Sequence, residues 1–105
     1  MTPTSADSDY YTLLSVSQQA SVDEIRAAFH RFARRHHPDN FAGRATAEQE
    51  RHAELYRVGT EAYRILLDPV RRKLYDEGLS QGQLRYTEDR ARARRRTTSP
   101  GGVLI

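Results

Sequence analysis

The chain has 105 residues, which is room for one small domain with a modest core. It contains no cysteine, so disulfide frameworks and thiolate metal sites are excluded. The net charge is +3, but residues 1–84 carry 11 basic and 12 acidic side chains, whereas residues 85–105 carry 6 arginines and 2 acids. The high pI therefore comes from the C-terminal tail. No apolar run approaches the roughly 20 residues that a membrane helix needs.

The N-terminus, MTPTSADSD, is polar and lacks the apolar core of a signal peptide. Together with the absence of cysteine, this predicts a cytoplasmic protein. Residues 1–8 are rich in threonine, serine and proline, and we expect them to be disordered. A short helix is predicted at about residues 9–15, with Tyr11 and Leu14 on one side.

A long amphipathic helix is predicted to start at Ser21 and to end before Pro38. Ser21 and Glu24 have the identities and the spacing of a capping box. Pro38 ends the helix because the residue before a proline is pushed out of the α region. The apolar stripe of this helix consists of Val22, Ile25, Phe29, Phe32, Ala33 and His36.

Two further helices are predicted after the connecting segment. The pattern at Thr46–Gln49 resembles a second capping box and predicts a third helix that runs to about Leu67. Asp68 and Pro69 suit the N-cap and first residue of a fourth helix, which is predicted to close at Gly78 in the left-handed conformation. The apolar stripe of the third helix includes Leu55, Gly59, Ala62 and Leu66.

No strand-like alternation occurs in the sequence. The predicted fold is therefore all-α, with two long helices in an antiparallel hairpin and short helices at its base. The connection between the long helices reads ARRHHPDNFAG, residues 33–43. A proline past a helix, an aspartate in a turn and a histidine at a helix C-terminus are each ordinary on their own. Their position between two amphipathic helices, after a basic face, favours a functional interpretation.

Residues 9–78 resemble the J domain of the DnaJ family of co-chaperones. The resemblance rests on DYYTLLSV, EIRAAFHRFARRHHPD, EAYRILLDP and RRKLYDEG, in the same order and register. It implies that the chain binds a DnaK-type chaperone ATPase and stimulates its ATP hydrolysis. The tripeptide His37-Pro38-Asp39 is the element that the family requires for stimulation. On this interpretation residues 79–105 form a basic, flexible C-terminal tail.

The predicted second helix presents a cationic face next to the tripeptide. Such a face steers toward an acidic surface, and its effect falls as salt rises. Asp39 would then accept a charge-assisted, bidentate hydrogen bond from an arginine of the ATPase. Pro38 would hold the corner rigid, and His37 would fix the loop through a ring hydrogen bond. The face consists of Arg26, His30, Arg31, Arg34 and Arg35. The alternative interpretation is that these side chains are exposed to solvent and bind no partner.

The family register adds further expectations about the binding surface. Arg26, His30 and Arg31 match positions that commonly face the chaperone, and Asn40 matches less securely. Tyr56 and Arg57 on the third helix are weaker matches.

Three positions depart from the family pattern. Gly59 replaces a large aliphatic core residue, which predicts either a void or a close approach of the helices. Ser15 stands where a helix-ending glycine is usual, and His30 replaces a usual lysine. These departures bear on stability and affinity, because none of them touches the tripeptide.

Other functions and partners are weighed against this interpretation. No phosphate loop, nucleophile motif or paired-carboxylate motif is present, so we expect no enzyme activity, no cofactor and no metal. His36 lies on the apolar stripe and is interpreted as a core-edge histidine. The chain is expected to be a monomer with no membrane partner. The alternatives are a J-like module that docks without stimulating ATPase, or a helical nucleic-acid binder acting through the tail.

Within the tail, residues 85–96 are expected to contribute nothing to the core, so that cutting after Gly82 would leave the fold and ATPase stimulation intact. A partial helix is predicted after Thr87, because acids follow directly and arginines come later. Any function of the tail would be recruitment to an acidic protein surface, nucleic acid or an anionic surface.

Overall fold

The computed structural model describes residues 8–98, with side chains through residue 93. Within that range the chain forms five α-helices, one 3₁₀ helix and no strand, which confirms the all-α prediction. The predicted disorder of residues 1–8 lies outside the described residues, except at Ser8. The helices are α1 (Tyr10–Leu14), α2 (Val22–His36), α3 (Thr46–Leu67), α4 (Pro69–Leu79) and α5 (Glu88–Thr98), with the 3₁₀ helix at Pro38–Phe41.

Capping side chains set the start of α2 and α4, as predicted. The Ser21 hydroxyl accepts from the Glu24 amide at 3.1 Å, and the Glu24 carboxylate accepts from the Ser21 amide at 2.8 Å. This is a complete capping box, which satisfies two amides that the helix itself leaves free. Asp68 accepts from the first free amides of α4, and Pro69 is the first helical residue.

The capping box predicted at Thr46 is wrong. Thr46 is already the first residue of α3, and the preceding Ala45 is an N-cap without a side-chain hydrogen bond. The Gln49 side chain, which a capping box would direct back to Thr46, donates instead to the Arg44 carbonyl at 2.9 Å. Arg44, in the loop before α3, also pairs with Glu48 in the first turn of α3 at 2.9 Å. The start of α3 is therefore held by interactions of the preceding loop.

The two long helices α2 and α3 pack on each other through the predicted stripes. Ile25 and Phe32 of α2 are buried, whereas Val22 at the start of the stripe is 39% exposed. On α3 the buried arc is wider and includes Leu55, Val58, Gly59, Ala62, Ile65 and Leu66. The predicted antiparallel hairpin is therefore present.

Gly59 of α3 lies directly against the ring of Phe32 of α2. A Cβ atom at this position would overlap the ring of Phe32, which is buried. The phenyl ring occupies the space of the missing side chain, so the void that this departure could have left is filled.

The base of the hairpin is closed by α1 and α4. Tyr75 of α4 stacks on Tyr10 of α1 with ring centroids 4.3 Å apart, and its hydroxyl accepts from the Tyr10 amide at 2.9 Å. Arg72 donates to the Tyr11 hydroxyl at 3.0 Å and to the Ala20 carbonyl at 2.8 Å. These bonds tie α4 to α1 and to the segment that leads into α2.

The prediction that the fourth helix closes at Gly78 is wrong. α4 continues through Gly78, which is buried, and ends at Leu79. The left-handed residue is Gly82, with φ of 87°. The Gly78 carbonyl accepts from the Gln83 amide at 3.0 Å, so the chain turns back only after α4 has ended.

The segment after this turn packs on the base, so the expectation that the tail contributes nothing to the core is wrong. The Tyr75 hydroxyl donates to the Leu84 carbonyl at 3.1 Å, and the Tyr86 amide donates to the Tyr10 hydroxyl at 3.0 Å. The Tyr86 side chain is half-buried against the core. These bonds form because the turn at Gly82 brings the chain back over buried tyrosine hydroxyls that need partners. The helix predicted after Thr87 is present as α5.

Candidate functional site

The tripeptide lies in the loop at residues 37–45, which joins α2 to α3 and is called the connecting loop below. His37 ends α2 with φ of −59° and ψ of 135°, and Pro38 begins the 3₁₀ helix. The Asn40 amide donates to the His37 carbonyl at 2.9 Å and closes this short turn. Because the proline ring fixes φ, the corner has a defined shape.

The Asp39 carboxylate points into solvent at this corner. His37 Nδ1 accepts from the Asp39 amide at 3.1 Å, so the proton of the neutral ring lies on Nε2. Nδ1 is 3.7 Å from an Asp39 carboxylate oxygen, but it has no proton to donate to that oxygen. The Asp39 side chain is 91% exposed, and no other described residue pairs with it. The carboxylate is therefore open to a donor from another molecule.

Two contacts hold the corner against the long helices. The Asn40 side chain donates to the Arg34 carbonyl at 2.5 Å and so satisfies one of the free carbonyls at the end of α2. The His37 ring meets the ring of Tyr56 of α3 edge-on, with centroids 5.4 Å apart. The predicted site residues Asn40, His37 and Tyr56 are thereby brought together.

Behind the connecting loop, His36 and His52 form a contact between α2 and α3, which we call the histidine pair. Their Nδ1 atoms are 2.9 Å apart, and His36 is only 5% exposed. Arg51 Nη2 lies 3.2 Å from His52 Nε2, and arginine only donates, so His52 accepts there and carries its proton on Nδ1. His52 therefore donates to His36. The Phe41 ring stacks on His52 at 3.8 Å and joins the loop to the pair.

The histidine pair is held in its neutral form. Burial lowers the pKa of His36 to about 4, with smaller contributions from the charges at His52, Arg35 and Arg51. The pKa of His52 is also lowered, first by desolvation and then by Arg51. His36 Nε2 is buried and has no hydrogen-bond partner among the described residues. A proton on His36 would add a positive charge to a buried position that faces His52, Arg35 and Arg51.

All five residues of the cationic face on α2 have exposed side chains. Arg26 lies 3.5 Å from Asp23 one turn earlier, an exposed contact that binds weakly. Arg26, His30 and Arg34 follow each other at helical spacing of four, so they lie on one side of α2. The face ends at the connecting loop, where the Arg34 carbonyl holds Asn40.

Arg57 is placed differently from the other predicted site residues. Its guanidinium pairs with Glu54 at 2.8 Å and approaches Glu61 at 3.8 Å, both on α3. The hydrogen bond from Arg57 lowers the pKa of the Glu54 carboxyl. Its charge is thus balanced within its own helix, which makes it the least available of the predicted binding residues.

Sequence reasoning did not identify Phe41 and His52 as supports of the loop. A signal for His52 exists, because it precedes Leu55 by three residues and so extends the buried stripe of α3 by one turn. Phe41 is the single aromatic residue within the connecting loop. Phe41 stacks on His52 because the loop folds back on α3. The sequence pattern around each residue does not predict this fold of the loop.

Two other kinds of site were considered for the described residues. None of the helices in residues 8–98 is long and apolar enough to cross a membrane. In the same range, no group of three or more histidine, cysteine, aspartate or glutamate side chains is arranged to hold a metal ion.

The connecting loop and both long helices lie within a match to a known family. The family model described as DnaJ domain matches residues 9–76. The chain is 40% identical over 72 residues to the chaperone protein DnaJ of Leptospira biflexa, covering 69% of this chain and 18% of that protein. It is 41% identical over 69 residues to chaperone protein DnaJ of Caldicellulosiruptor bescii, covering 66% of this chain and 16% of the relative.

A human relative is similar over the same part. DnaJ homolog subfamily C member 7 is 39% identical over 70 residues, which cover 67% of this chain and 14% of that protein. The chain thus spans less than a quarter of the length of these relatives. No solved structure matches it with significance. Since the family model covers residues 9–76, most of the chain, the protein belongs to the DnaJ domain family.

Proposed function

We propose that this protein is a co-chaperone that binds a DnaK-type chaperone ATPase and stimulates its ATP hydrolysis through the connecting loop. The observation that carries the proposal is the Asp39 carboxylate, 91% exposed on a corner shaped by Pro38. In this proposal the protein is not itself an enzyme, and the partner supplies the catalytic groups. The DnaJ domain match and the names of the relatives support this function.

The binding step uses the cationic face of α2. Its exposed side chains would attract an acidic surface of the ATPase and set the orientation of docking. Arg26, His30 and Arg31 are proposed as direct contacts, and Arg34 and Arg35 extend the face toward the loop. Because these charges are exposed to solvent, binding should weaken as salt rises.

The stimulating step uses the corner itself. Asp39 would accept two parallel hydrogen bonds from an arginine of the ATPase, a geometry that fixes both partners. Pro38 and the His37 ring hold the backbone of Asp39 in place before binding, so little backbone entropy is lost on docking. Asn40 and Tyr56 act as supports, and Arg57 has a minor part because its charge is already paired.

The test is a steady-state ATPase assay with a DnaK-type chaperone and the full chain. Asp39→Asn keeps the size of the side chain and removes its charge, so stimulation should fall to the level of the chaperone alone. Thermal unfolding should be unchanged, because the carboxylate has no other described partner. Glu50→Gln is the matched control, since it removes an exposed negative charge from α3 and should leave stimulation intact.

Undiminished stimulation by Asp39→Asn would overturn the proposal. A parent protein that binds the chaperone but never stimulates it would favour the other class, a module that only docks. The cationic face is tested in the same assay by Arg31→Glu, which should raise the concentration needed for half-maximal stimulation.

A further inference from the structure

The basic helix α5 is attached to the folded domain at its first turn. Glu88 pairs with Arg71 of α4 at 3.5 Å, and the Thr87 hydroxyl accepts from the Arg90 amide at 3.3 Å. Ala91 is only 4% exposed, because it packs on the α4 side of the base. Upstream, Tyr86 is bonded to Tyr10. The start of α5 therefore has a fixed position relative to the domain.

The charges of α5 are separated along its length. The two acids, Glu88 and Asp89, lie in the first turn, where they complement the helix dipole. Beyond them no acidic residue occurs in the sequence, and arginines occupy positions 90, 92, 94, 95 and 96. Arg90 and Arg92 are exposed. The contact of Arg92 with Asp89 at 3.6 Å is solvent-exposed and holds it weakly.

We propose that α5 binds the phosphate backbone of duplex DNA. A run of arginines without lysine suits phosphate, because the guanidinium group matches two phosphate oxygens with parallel hydrogen bonds. Binding of this kind needs only charge, since released counterions supply nearly all of the non-specific affinity.

The composition of α5 disfavours the two other polyanionic partners. A helix that lies on an anionic membrane has an apolar face of large side chains opposite its basic face. A protein interface has a core of buried apolar and aromatic side chains. The residues of α5 other than arginines and acids are only two alanines, at 91 and 93, and two threonines, at 97 and 98. Ala91 is already covered by the domain.

The shape of the helix distinguishes a DNA duplex from other nucleic acids. An α-helix of about 10–12 Å diameter fits the B-DNA major groove, which is about 12 Å wide. Successive helix positions rotate by about 100°, so Arg90 and Arg92 lie about 200° apart around the axis and can meet both flanking strands. The major groove of an RNA duplex is too narrow for a helix. Single strands are bound through stacked aromatic side chains, and α5 has none.

α5 is distant from the connecting loop, which the proposed function makes the stimulating element. α5 packs on α4, which begins where α3 ends, whereas the connecting loop precedes the start of α3. α3 has 22 residues, so α5 and the connecting loop are about 33 Å apart along its axis. DNA on α5 therefore leaves the connecting loop open to a chaperone, which would bring a chaperone to DNA-bound complexes.

The inference is tested by fluorescence anisotropy of the full chain with a labelled DNA duplex of about 20 base pairs, two helical turns. The logarithm of the association constant should fall with the logarithm of salt concentration with a slope of roughly −4, as expected for five arginines. The double variant R90Q/R92Q should bind several-fold more weakly and reduce the slope by about 2. The matched control R26Q/R34Q removes the same charge from α2 and should change neither quantity.

Several outcomes would overturn the inference. One is an equal loss of affinity in R26Q/R34Q, which would assign the binding to α2. Another is parent-like binding by R90Q/R92Q when circular dichroism shows that it is folded. The chain could also bind phosphatidylserine vesicles or polyglutamate more tightly than the duplex at the same salt. Tighter binding of the vesicles would favour an anionic membrane as the partner, and tighter binding of polyglutamate would favour an acidic protein. The result does not depend on the co-chaperone proposal, because Asp39→Asn should leave DNA binding unchanged.

Discussion

At the base of the α2–α3 hairpin, tyrosine hydroxyls are buried and fully bonded, whereas at the tip an aspartate is almost fully exposed. The Tyr10 hydroxyl donates to Glu61 and accepts from the Tyr86 amide, and its ring stacks on Tyr75. At the tip, Asp39 is 91% exposed, and its loop is held by a few side-chain contacts. The Tyr10 side chain is fully buried, and burial and the hydrogen bond to Glu61 raise its pKa.

The difference between the two ends shows that stability and exposed polar groups are found in different parts of the domain. Apolar burial and satisfied polar groups at the base supply the stability, so the tip can expose a carboxylate and a cationic face that add little to it. Near the tip, the histidine pair is a partly buried contact that consists of titratable groups. The base should therefore respond to truncation, and the tip should respond to pH.

The largest effect is expected from cutting the chain after Gly82. This removes the bonds of Leu84 and Tyr86 to the two buried tyrosines and the half-buried Tyr86 ring. Buried hydroxyls left without partners and the lost packing together should lower the free energy of unfolding by about 3 kcal/mol. For a domain of this size the melting temperature should fall by roughly 10 °C or more.

The control for this prediction is a cut after Ala93, which keeps all of these contacts and shortens only the basic part of α5. Thermal unfolding followed by circular dichroism gives the melting temperatures of the parent and of the two truncated chains. If both truncations melt with the parent, the contacts of Leu84 and Tyr86 with the two tyrosines do not stabilise the domain.

A smaller effect is expected at the tip on acidification. The unfolded chain takes up a proton at His36 near pH 6.5, but the folded chain does so only near pH 4. Stability from this group is therefore full above pH 6.5 and is lost as pH falls toward 4. Between about pH 7.5 and about pH 5 the free energy of unfolding should fall by about 2 kcal/mol. Urea denaturation at the two pH values measures the change.

The surroundings of the histidine pair set this prediction apart from a general acid effect. His52, Arg35 and Arg51 face His36, and Glu48 and Arg44 act on His52, so most neighbouring charges are positive. H36L removes the group and should flatten the pH dependence by about one proton, whatever its effect on absolute stability. An NMR titration in which the His36 ring ionises near pH 6.5 in the folded chain would contradict the prediction.

The comparison of the two ends also explains what the sequence could predict. The capping box at Ser21, the start of α4 at Asp68 and the buried stripe from Leu55 to Leu66 follow from local patterns, and all are present. Local patterns suffice there because each involves residues within a few turns of one helix. The exposed His-Pro-Asp corner follows in the same way from the position of Pro38 between two helices.

The features that the sequence did not predict all involve distant partners. Tyr86 bonds to Tyr10 over 76 positions, and His36 meets His52 across the hairpin. The many arginines of the tail predict a solvent-exposed segment. Two residues among them, Leu84 and Tyr86, nevertheless return to the base. A glycine near the end of a helical pattern predicts the end of the helix, and this prediction fails at Gly78. The chain reverses at Gly82 instead.

A further effect is expected midway between the two ends, where Phe32 fills the space beside Gly59. Alanine is the better helix former by about 1 kcal/mol, yet Gly59→Ala should lower the free energy of unfolding by about 1–2 kcal/mol, because its Cβ overlaps a buried ring. In the double variant G59A/F32L the smaller side chain makes room, so the two changes should couple by about 1 kcal/mol or more. Strict additivity in urea denaturation would show that the ring moves aside freely.

The smallest effect is expected at Ser15, which ends α1 at the base with φ of 58° and ψ of 50°. It is the only non-glycine residue with positive φ in the described chain, and its side chain is exposed. A Cβ atom is disfavoured in this conformation, so Ser15→Gly should raise the free energy of unfolding by about 0.5–1 kcal/mol. Ser80 is a matched control, because it also follows a helix end but has right-handed dihedral angles. Ser80→Gly should therefore destabilise by at least a similar amount, through the larger entropy of the unfolded chain and the loss of the hydrogen bond from its hydroxyl to the Glu77 carbonyl. If both variants lose stability in urea denaturation, the left-handed turn at Ser15 is without strain, and the base is already at its optimum there.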